Sequence, residues 1–454
     1  MDADAKERQH LSADALYRLV HSTFNAVADS RSAAAEISLG DALMAGFAVF
    51  ALKAPSLLAF DDQRKNDEPN LKALFKLQHV PSDTQMRTIL DEVDPQDLRP
   101  AYTDVFRQLQ RGKALEPFVF FQGHYLMALD GTSYFSSEKI HCSSCLEKKS
   151  RNGKVSYSHQ MLGAALVHPD RKEVIPLCPE PIIKQDGDTK NDCERNASRR
   201  FCGHFRREHP KLPVIVVADA LSANAPLIAD LRAHDFRFIL NIKPGSHAFL
   251  FEQMRIAAET GQAHVLTLQD TDGTLHHYRW LEKASLNESN PDVLVTMIEY
   301  WEIPPKGSKA PMRHFSWVTD LPANEETVPL LVRGGRARWH IENETFNTLK
   351  NQGYHFDHNF GHGEKNLSVV FALLMMLAFL VDQTTQLCDV LFQAALKHVR
   401  RKCRLWENVR AIFRYVQVTS MRQLYGLMLS DYKATPPTEQ TPPTEHAPAM
   451  DNSS

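Results

Sequence analysis

At 454 residues the chain exceeds one ordinary domain, and its composition, 43% hydrophobic and 24% charged, is that of a globular protein rather than a disordered or fibrous one. A formal net charge of −3 gives no sign of a nucleic-acid partner in the sum, although binding depends on local basic patches rather than on the total. Seven cysteines, an odd number, follow a charged N-terminal stretch without an apolar signal core. Together they imply a reducing cytoplasm and no disulfide framework.

Residues 1–115 read as helical. A run over 39–52 is rich in Ala, Leu, Phe and Met behind a candidate cap at Ser38. From Pro81, PSDTQMRTILDEV offers Ser82 or Asp83 as a cap and Met86, Ile89, Leu90 and Val93 at helical spacing. Short helices joined by a Pro-bearing turn suit a helix-turn-helix DNA reader and a plain helical bundle equally.

The stretch FVFFQGHYLMALDGTSYF, residues 118–135, changes the pattern. A short apolar run closed by Asp130-Gly131 reads as a buried strand ending in a turn. Strand-like segments follow at 157–167 and 173–177, then a charged helix over 189–208 with Arg195, Arg199, Arg200, Arg206 and Arg207. LPVIVVADALSAN repeats the first arrangement, with Asp219 near the end of an apolar strand. A helix over 223–233 and a strand over 236–242 lead to Lys243. Three strands, helix, strand, helix, strand is the order of an RNase H-like core. The fourth strand lies beside the first there, so Asp130 and Asp219 become neighbours. Taken singly, each Asp is more often a turn residue.

Residues 246–325 interrupt that core with strands expected at 265–268, 276–281, 293–301 and 314–318. Of the tryptophans there, Trp301 and Trp317 are strand residues for which buried packing is favoured over stacking on a flipped base. Helix is expected at 325–333, broken at Gly334-Gly335, and again from Arg336 to a cap near Gly353. At 3.6 residues per turn, Glu342 shares a face with Arg338, Thr345, Phe346 and Leu349, flanked by Trp339 and facing packed protein. Glu344 points the other way with His340. The bland reading of Glu342 is an exposed ion pair with Arg338. The run LSVVFALLMMLAFLV, 367–381, is 15 residues long. It is shorter than the ~20 of a spanning helix, so it reads as a core helix and gives no membrane partner. Two TPPTE copies mark a low-complexity, disordered tail.

Three carboxylates, Asp130, Asp219 and Glu342, suit Mg2+ or Mn2+, hard cations that prefer oxygen. Two such ions about 4 Å apart serve phosphodiester cleavage and strand transfer, with Arg338, Lys350 and Lys243 as candidate phosphate holders. HCSSC gives Cys142 and Cys145 the spacing of a zinc-ligand pair for a structural Zn2+. Cys178, Cys193, Cys202, His159 and His204 are candidates to complete it; buried or free thiols are the alternative. His355, His358 and His362, around Asp357, look ligand-like, although packing or a phosphate contact would equally explain them. Glu194 reads as a support for the acid site or as a surface residue. The basic run KKSRNGK, 148–154, reads as a solvated turn that could touch DNA.

LDGTSYFSS, VADALSAN and GRARWHIENETFNTLKNQGYHFDHNFGHGEKNLS together resemble bacterial insertion-sequence transposases with an Asp-Asp-Glu triad. The group is the cut-and-paste one often called insertion sequence family four, which carries a β-rich insertion before the glutamate. The resemblance spans roughly residues 80–385 and is most specific around Glu342. It assigns the triad to Asp130, Asp219 and Glu342. In the family pattern Tyr, two residues, Arg, three residues, Glu, six residues, Lys, this chain has Arg338 and Glu342. The Tyr position is Gly335, and the Lys falls one place late, at Lys350.

The resemblance further implies a homodimer on double-stranded DNA that grips terminal inverted repeats and joins the excised end to target DNA, excision passing through a hairpin in some members. It implies a bacterial, nucleoid-associated location. The expected fold is α/β, an RNase H-like mixed sheet flanked by helices and interrupted by a β-rich insertion, with helical N- and C-terminal regions. The expected division is an N-terminal DNA-binding region 1–115, core 116–245, insertion 246–325, and the rest of the core with the glutamate helix 326–385. A helical region 386–432 and a tail 433–454 follow. Two alternatives remain: an RNase H-like DNA nuclease without strand transfer, and a non-catalytic DNA-binding regulator derived from a transposase.

Overall fold

The computed structural model describes residues 8–31, 35–184 and 191–430; the tail expected at 433–454 and positions 189 and 190 lie outside the described residues. Five helices come first: α1 (Ala13–Phe24), α2 (Leu39–Ala51), α3 (Leu57–Phe75), α4 (Asp83–Asp91) and α5 (Arg99–Arg111). Ser12, Ser38, Ser56 and Ser82 each cap one of them by accepting from a backbone N–H three residues on. Such a cap stabilises a helix by about 1 kcal/mol. At Ser82 the Gln85 side chain returns the bond, completing a capping box. The α2 helix is buried along its whole length. It is therefore a core element and has no free face to lay in a DNA groove.

The strands are β1 (Val119–Phe121), β2 (His124–Ser137), β3 (Leu146–Lys149), β4 (Val155–Val167), β5 (Ile175–Pro176) and β6 (Glu180–Ile182). Then come α6 (Glu194–Glu208), β7 (Val214–Ala218), α7 (Ala225–Ala233) and β8 (Arg237–Asn241). The remaining strands are β9 (His264–Gln269), β10 (Leu275–Asn287), β11 (Asn290–Ile303) and β12 (Arg313–Thr319), preceded by α8 (Ala248–Glu259).

All twelve strands among the described residues join one mixed sheet, whose main path is β3-β4-β2-β7-β8-β12-β11-β10-β9. The β2 strand is antiparallel to β4 and parallel to β7, which is parallel to β8. This is the RNase H-like order, with the fourth strand beside the first.

Three expectations change here. Asp130-Gly131 is no turn, because β2 runs on to Ser137. The expected third strand, 173–177, shrinks to the two residues of β5, with β6 pairing elsewhere along β4. The insertion contains a helix, α8, that the apolar pattern did not reveal, and its strands continue the core sheet. The pairing of β12 with β8, Trp317 opposite Asn241, covers what would otherwise be an exposed strand edge.

After the sheet come α9 (Val328–Arg336), a π-helical turn Ile341–Phe346, α10 (Asn347–Asn351) and α11 (Leu367–Cys388). The last helices are α12 (Val390–Val399), α13 (Lys402–Tyr415) and α14 (Met421–Leu429). The glycine pair does not break α9. It lets the helix press on the sheet, since a Cβ at Gly334 would stand 2.8 Å from Phe120 and one at Gly335 2.4 Å from Trp317. A tyrosine cannot occupy position 335 with Trp317 where it is. The α11 helix is 22 residues long and apolar enough to cross a membrane, but the protein buries it from Leu367 to Thr385.

Candidate active site

Parallel pairing of β2 with β7 sets Ala128 opposite Val217 as the last recorded pair. Asp130 and Asp219 stand two residues further along each strand, so strand register alone delivers both to one end of the sheet. Asp219 lies just past the end of β7, where its Oδ1 accepts from the Leu221 N–H at 3.1 Å and the Ser222 hydroxyl at 3.3 Å. Glu342 comes to the same place from the π-helical turn. Such turns re-aim side chains relative to a regular helix and are frequent at functional sites.

Arg338 ties the group together. Its Nη1 lies 2.8 Å from Glu342 Oε1 and 3.5 Å from Asp130 Oδ2. Neither approach has hydrogen-bond geometry, and the Arg338 Nε is likewise buried without a partner. The Asp130 carboxyl is raised to about 7: burial pushes it up most, Arg338 pulls it down, and Glu342 and Asp219 push it up again. One misaligned guanidinium does not neutralise three carboxylates, and the deficit is of positive charge.

A fourth acid borders the site. Glu194 starts α6 and lays its carboxylate over Gly131, where a Cβ would stand 2.1 Å from Oε1. Partial burial and the charge of Asp219 raise its affinity for a proton. The cleft beside Asp130, Asp219 and Glu194 measures about 520 Å3, and Gln160, Arg195 and Asn224 also line it. Gly131, which looked like a turn signal, is the residue that lets Glu194 in.

The Glu342 segment is seated by a second glycine. Gly163 of β4 lies directly opposite Asp130, and a Cβ on it would stand 2.6 Å from the Phe346 ring. Phe346 thus fills the space a side chain would take. A glycine inside an apolar strand marks such a close approach, and this signal was available in the sequence. The helix-face expectation for Glu342 needs correction: its side chain is 37% exposed beside Arg338 rather than set against packed protein, and Trp339 is exposed. Glu344 acts on His340 and Lys402 and has no part among the charges that perturb Asp130.

Lys243 is exposed in the turn after β8. Lys350 is exposed too, 3.6 Å from Asp357. Trp317 is buried beneath α9, and Trp301 stacks on His314 with ring centroids 4.6 Å apart. The run 148–154 forms the exposed end of the β3–β4 hairpin.

Cys142 and Cys145 come together with His159 and His362, their ligand atoms all within 4.8 Å of one another. His159 was among the expected completing residues; His362 belongs to the other histidine group. Cys178 and Cys202 are buried elsewhere, Cys193 is exposed and His204 faces Glu180. Neither His355 nor His358 joins the cluster.

No family model and no curated relative matches the chain. A cryo-EM structure of a piggyBac transposase synaptic complex with hairpin DNA is similar to it. The identity is 11% and the TM-score 0.39, over 89% of this chain and 86% of that one. So low a likeness transfers nothing to this chain.

Proposed function

We propose that this chain is an insertion-sequence transposase that cleaves phosphodiester bonds at the ends of a DNA element and joins the freed strand to target DNA. Asp130, Asp219 and Glu342 are its catalytic carboxylates and hold Mg2+ or Mn2+. The observation that carries this reading is the meeting of Asp130 from β2 and Glu342 from the π-helical turn at one buried, under-bonded guanidinium, with Asp219 at the end of β7 near enough for its charge to act on Asp130. Oxygen donors with uncompensated negative charge fit a hard divalent cation.

When bound, a pair of such ions favours the deprotonated nucleophile and stabilises the departing oxygen of a phosphodiester. The chain's own residues set the geometry. The ladder between β2 and β7 fixes the two aspartates relative to each other, and Phe346 in the Gly163 notch fixes the height of Glu342 over the sheet. Arg338 holds Glu342 beside Asp130, and Glu194 adds a carboxylate on the Asp219 side. Arg195, Lys243 and Lys350 hold the phosphates of incoming DNA as positioning contacts. Two copies act on paired element ends, residues 1–115 contribute to reading those ends, and the protein works in the cytoplasm at the nucleoid.

The test uses purified full-length chain, labelled DNA bearing the flanking element ends, and Mg2+ or Mn2+. The expected result is cleavage at the ends and joining to a second DNA, both abolished in Asp130→Asn, Asp219→Asn and Glu342→Gln variants that still bind DNA. Cleavage without joining would instead assign a nuclease. Binding with no cleavage under either metal would assign a non-catalytic regulator and overturn the enzyme reading.

A further inference from the structure

We infer that Cys142, Cys145, His159 and His362 bind one Zn2+, and that this ion clamps the segment following Glu342 to the strand carrying Asp130. The four side chains come from three places: the loop after β2, strand β4, and the connection between α10 and α11. Cys142 Sγ and Cys145 Sγ lie 3.9 Å apart. His159 Nε2 is 3.3 Å from the first and 3.4 Å from the second, and His362 Nε2 is 3.3 Å from Cys145 Sγ. Tetrahedral zinc with bonds of about 2.3 Å to sulfur and 2.0–2.1 Å to nitrogen requires ligand atoms roughly 3.3–3.8 Å apart, closest for two nitrogens and widest for two sulfurs. The four contacts above each lie within a few tenths of an ångström of that arrangement, and all four ligand atoms are within 4.8 Å of one another.

Two thiols and two imidazoles are soft or borderline donors that select zinc over the hard cations of the acid cleft. His159 is fully buried and His362 is 8% exposed. Neither Nδ1 has a hydrogen-bond partner, so the polar contacts of both rings are concentrated on the Nε2 side, toward the sulfurs. Rings of Tyr134 and Phe135 cover the cluster. Four protein ligands in a closed setting leave no open position for a substrate, which marks a structural rather than a catalytic site.

The surrounding bonds show what the ion would hold. Ser143 donates to the Glu364 carbonyl through its N–H at 3.3 Å and its hydroxyl at 3.1 Å, and the Ser144 hydroxyl donates to the Lys365 carbonyl at 3.0 Å. On the other side Asp91, at the end of α4, accepts from the N–H groups of Glu364, Lys365, Asn366 and Leu367. The exposed Ser143 and Ser144 bonds compete with water and hold weakly, whereas four metal bonds would fix His362, and with it the end of the Glu342 connection, to β4. His159 lies opposite Phe135 in the same ladder that sets Gly163 opposite Asp130. The clamp therefore bears on the hairpin that carries the acid site.

Metal analysis of the full-length protein, purified without chelator, tests this independently of DNA chemistry. About one zinc per chain is expected for a closed four-ligand site. It should be lost in Cys145→Ser and His362→Ala and retained in the triple variant Cys178→Ser, Cys193→Ser, Cys202→Ser. Removing the ion from the unsubstituted protein should increase amide exchange in 141–146 and 359–366 together. Should the ligand variants fail to fold, Co2+ added to the zinc-depleted parent should produce thiolate charge-transfer and tetrahedral d–d absorption. Substoichiometric zinc with no such Co2+ bands would overturn the assignment and leave a thiol–imidazole hydrogen-bonded cluster. Zinc unaffected by His362→Ala would overturn the clamp. Neither result depends on whether the protein cleaves DNA.

Discussion

The acid cleft and the Cys/His cluster both rest on the β2–β4 hairpin and are built on opposite principles. The acid site gathers hard oxygen ligands beside the end of β7, where burial and the charges of Glu342 and Asp219, set against Arg338, raise the Asp130 carboxyl to about 7. The cluster gathers soft ligands under aromatic cover, near tetrahedral spacing. One arrangement sets like charges close together; the other is closed and near tetrahedral spacing. Asp130 and Phe135 are five residues apart on β2, about 16 Å at strand rise. Coupling between them would run through the β2–β4 ladder and the Glu342 connection.

The largest expected effect comes from breaking the cleft while sparing the cluster. Glu342→Gln should lower cleavage by roughly 10^3-fold or more, as when one member of a cooperating set is removed. Glu344→Gln should stay within about twofold, since its carboxylate faces His340 and Lys402. Both variants should keep their zinc. Equal loss in the two would erase the distinction between the glutamates.

Breaking the cluster should reach the cleft more weakly. His362→Ala should lower cleavage about 10- to 100-fold by loosening the position of Glu342, with DNA affinity unchanged, measured in single turnover. Full activity in a zinc-free variant would show that the two sites are uncoupled.

A smaller change targets the joint between them. Gly163→Ala drives a methyl against Phe346 and should destabilise by about 1–3 kcal/mol. Phe346→Leu in the same chain should recover part of that loss, read from denaturant midpoints. Additive effects would mean that the two residues do not share the space.

The smallest effect is on pH. The Asp130 carboxyl is raised in the folded protein from 3.8 to about 7. Between those values the folded state holds more protons than the unfolded one, so stability is present below about pH 4 and is lost as pH rises through 7. Without divalent cations, melting temperature should therefore fall on going from pH 5 to 7.5. Asp130→Asn should flatten that slope, whereas an unchanged slope would place the titration elsewhere.

Much of this was legible in the chain itself. The apolar runs before Asp130 and Asp219 specify buried strands, because a strand without polar alternation must be covered on both faces. Ser38 and Ser82 mark helix starts, because their hydroxyls satisfy backbone N–H groups a few residues away. Gly353, at φ +96, follows the Glu342 segment as a C-terminal cap residue. All of these are local, settled among residues within a turn or a strand of one another. What the sequence did not determine was long-range. Gly131 resembled a turn until Glu194 filled the space above it; Glu342 was assigned a packed face until the π-helical turn set it, partly exposed, beside Arg338. His362 showed no link to Cys145, 217 residues earlier, and Arg338 showed none to Asp130. Such pairings depend on how the sheet register and the seating of Phe346 on Gly163 bring distant segments together, and tertiary packing decides both.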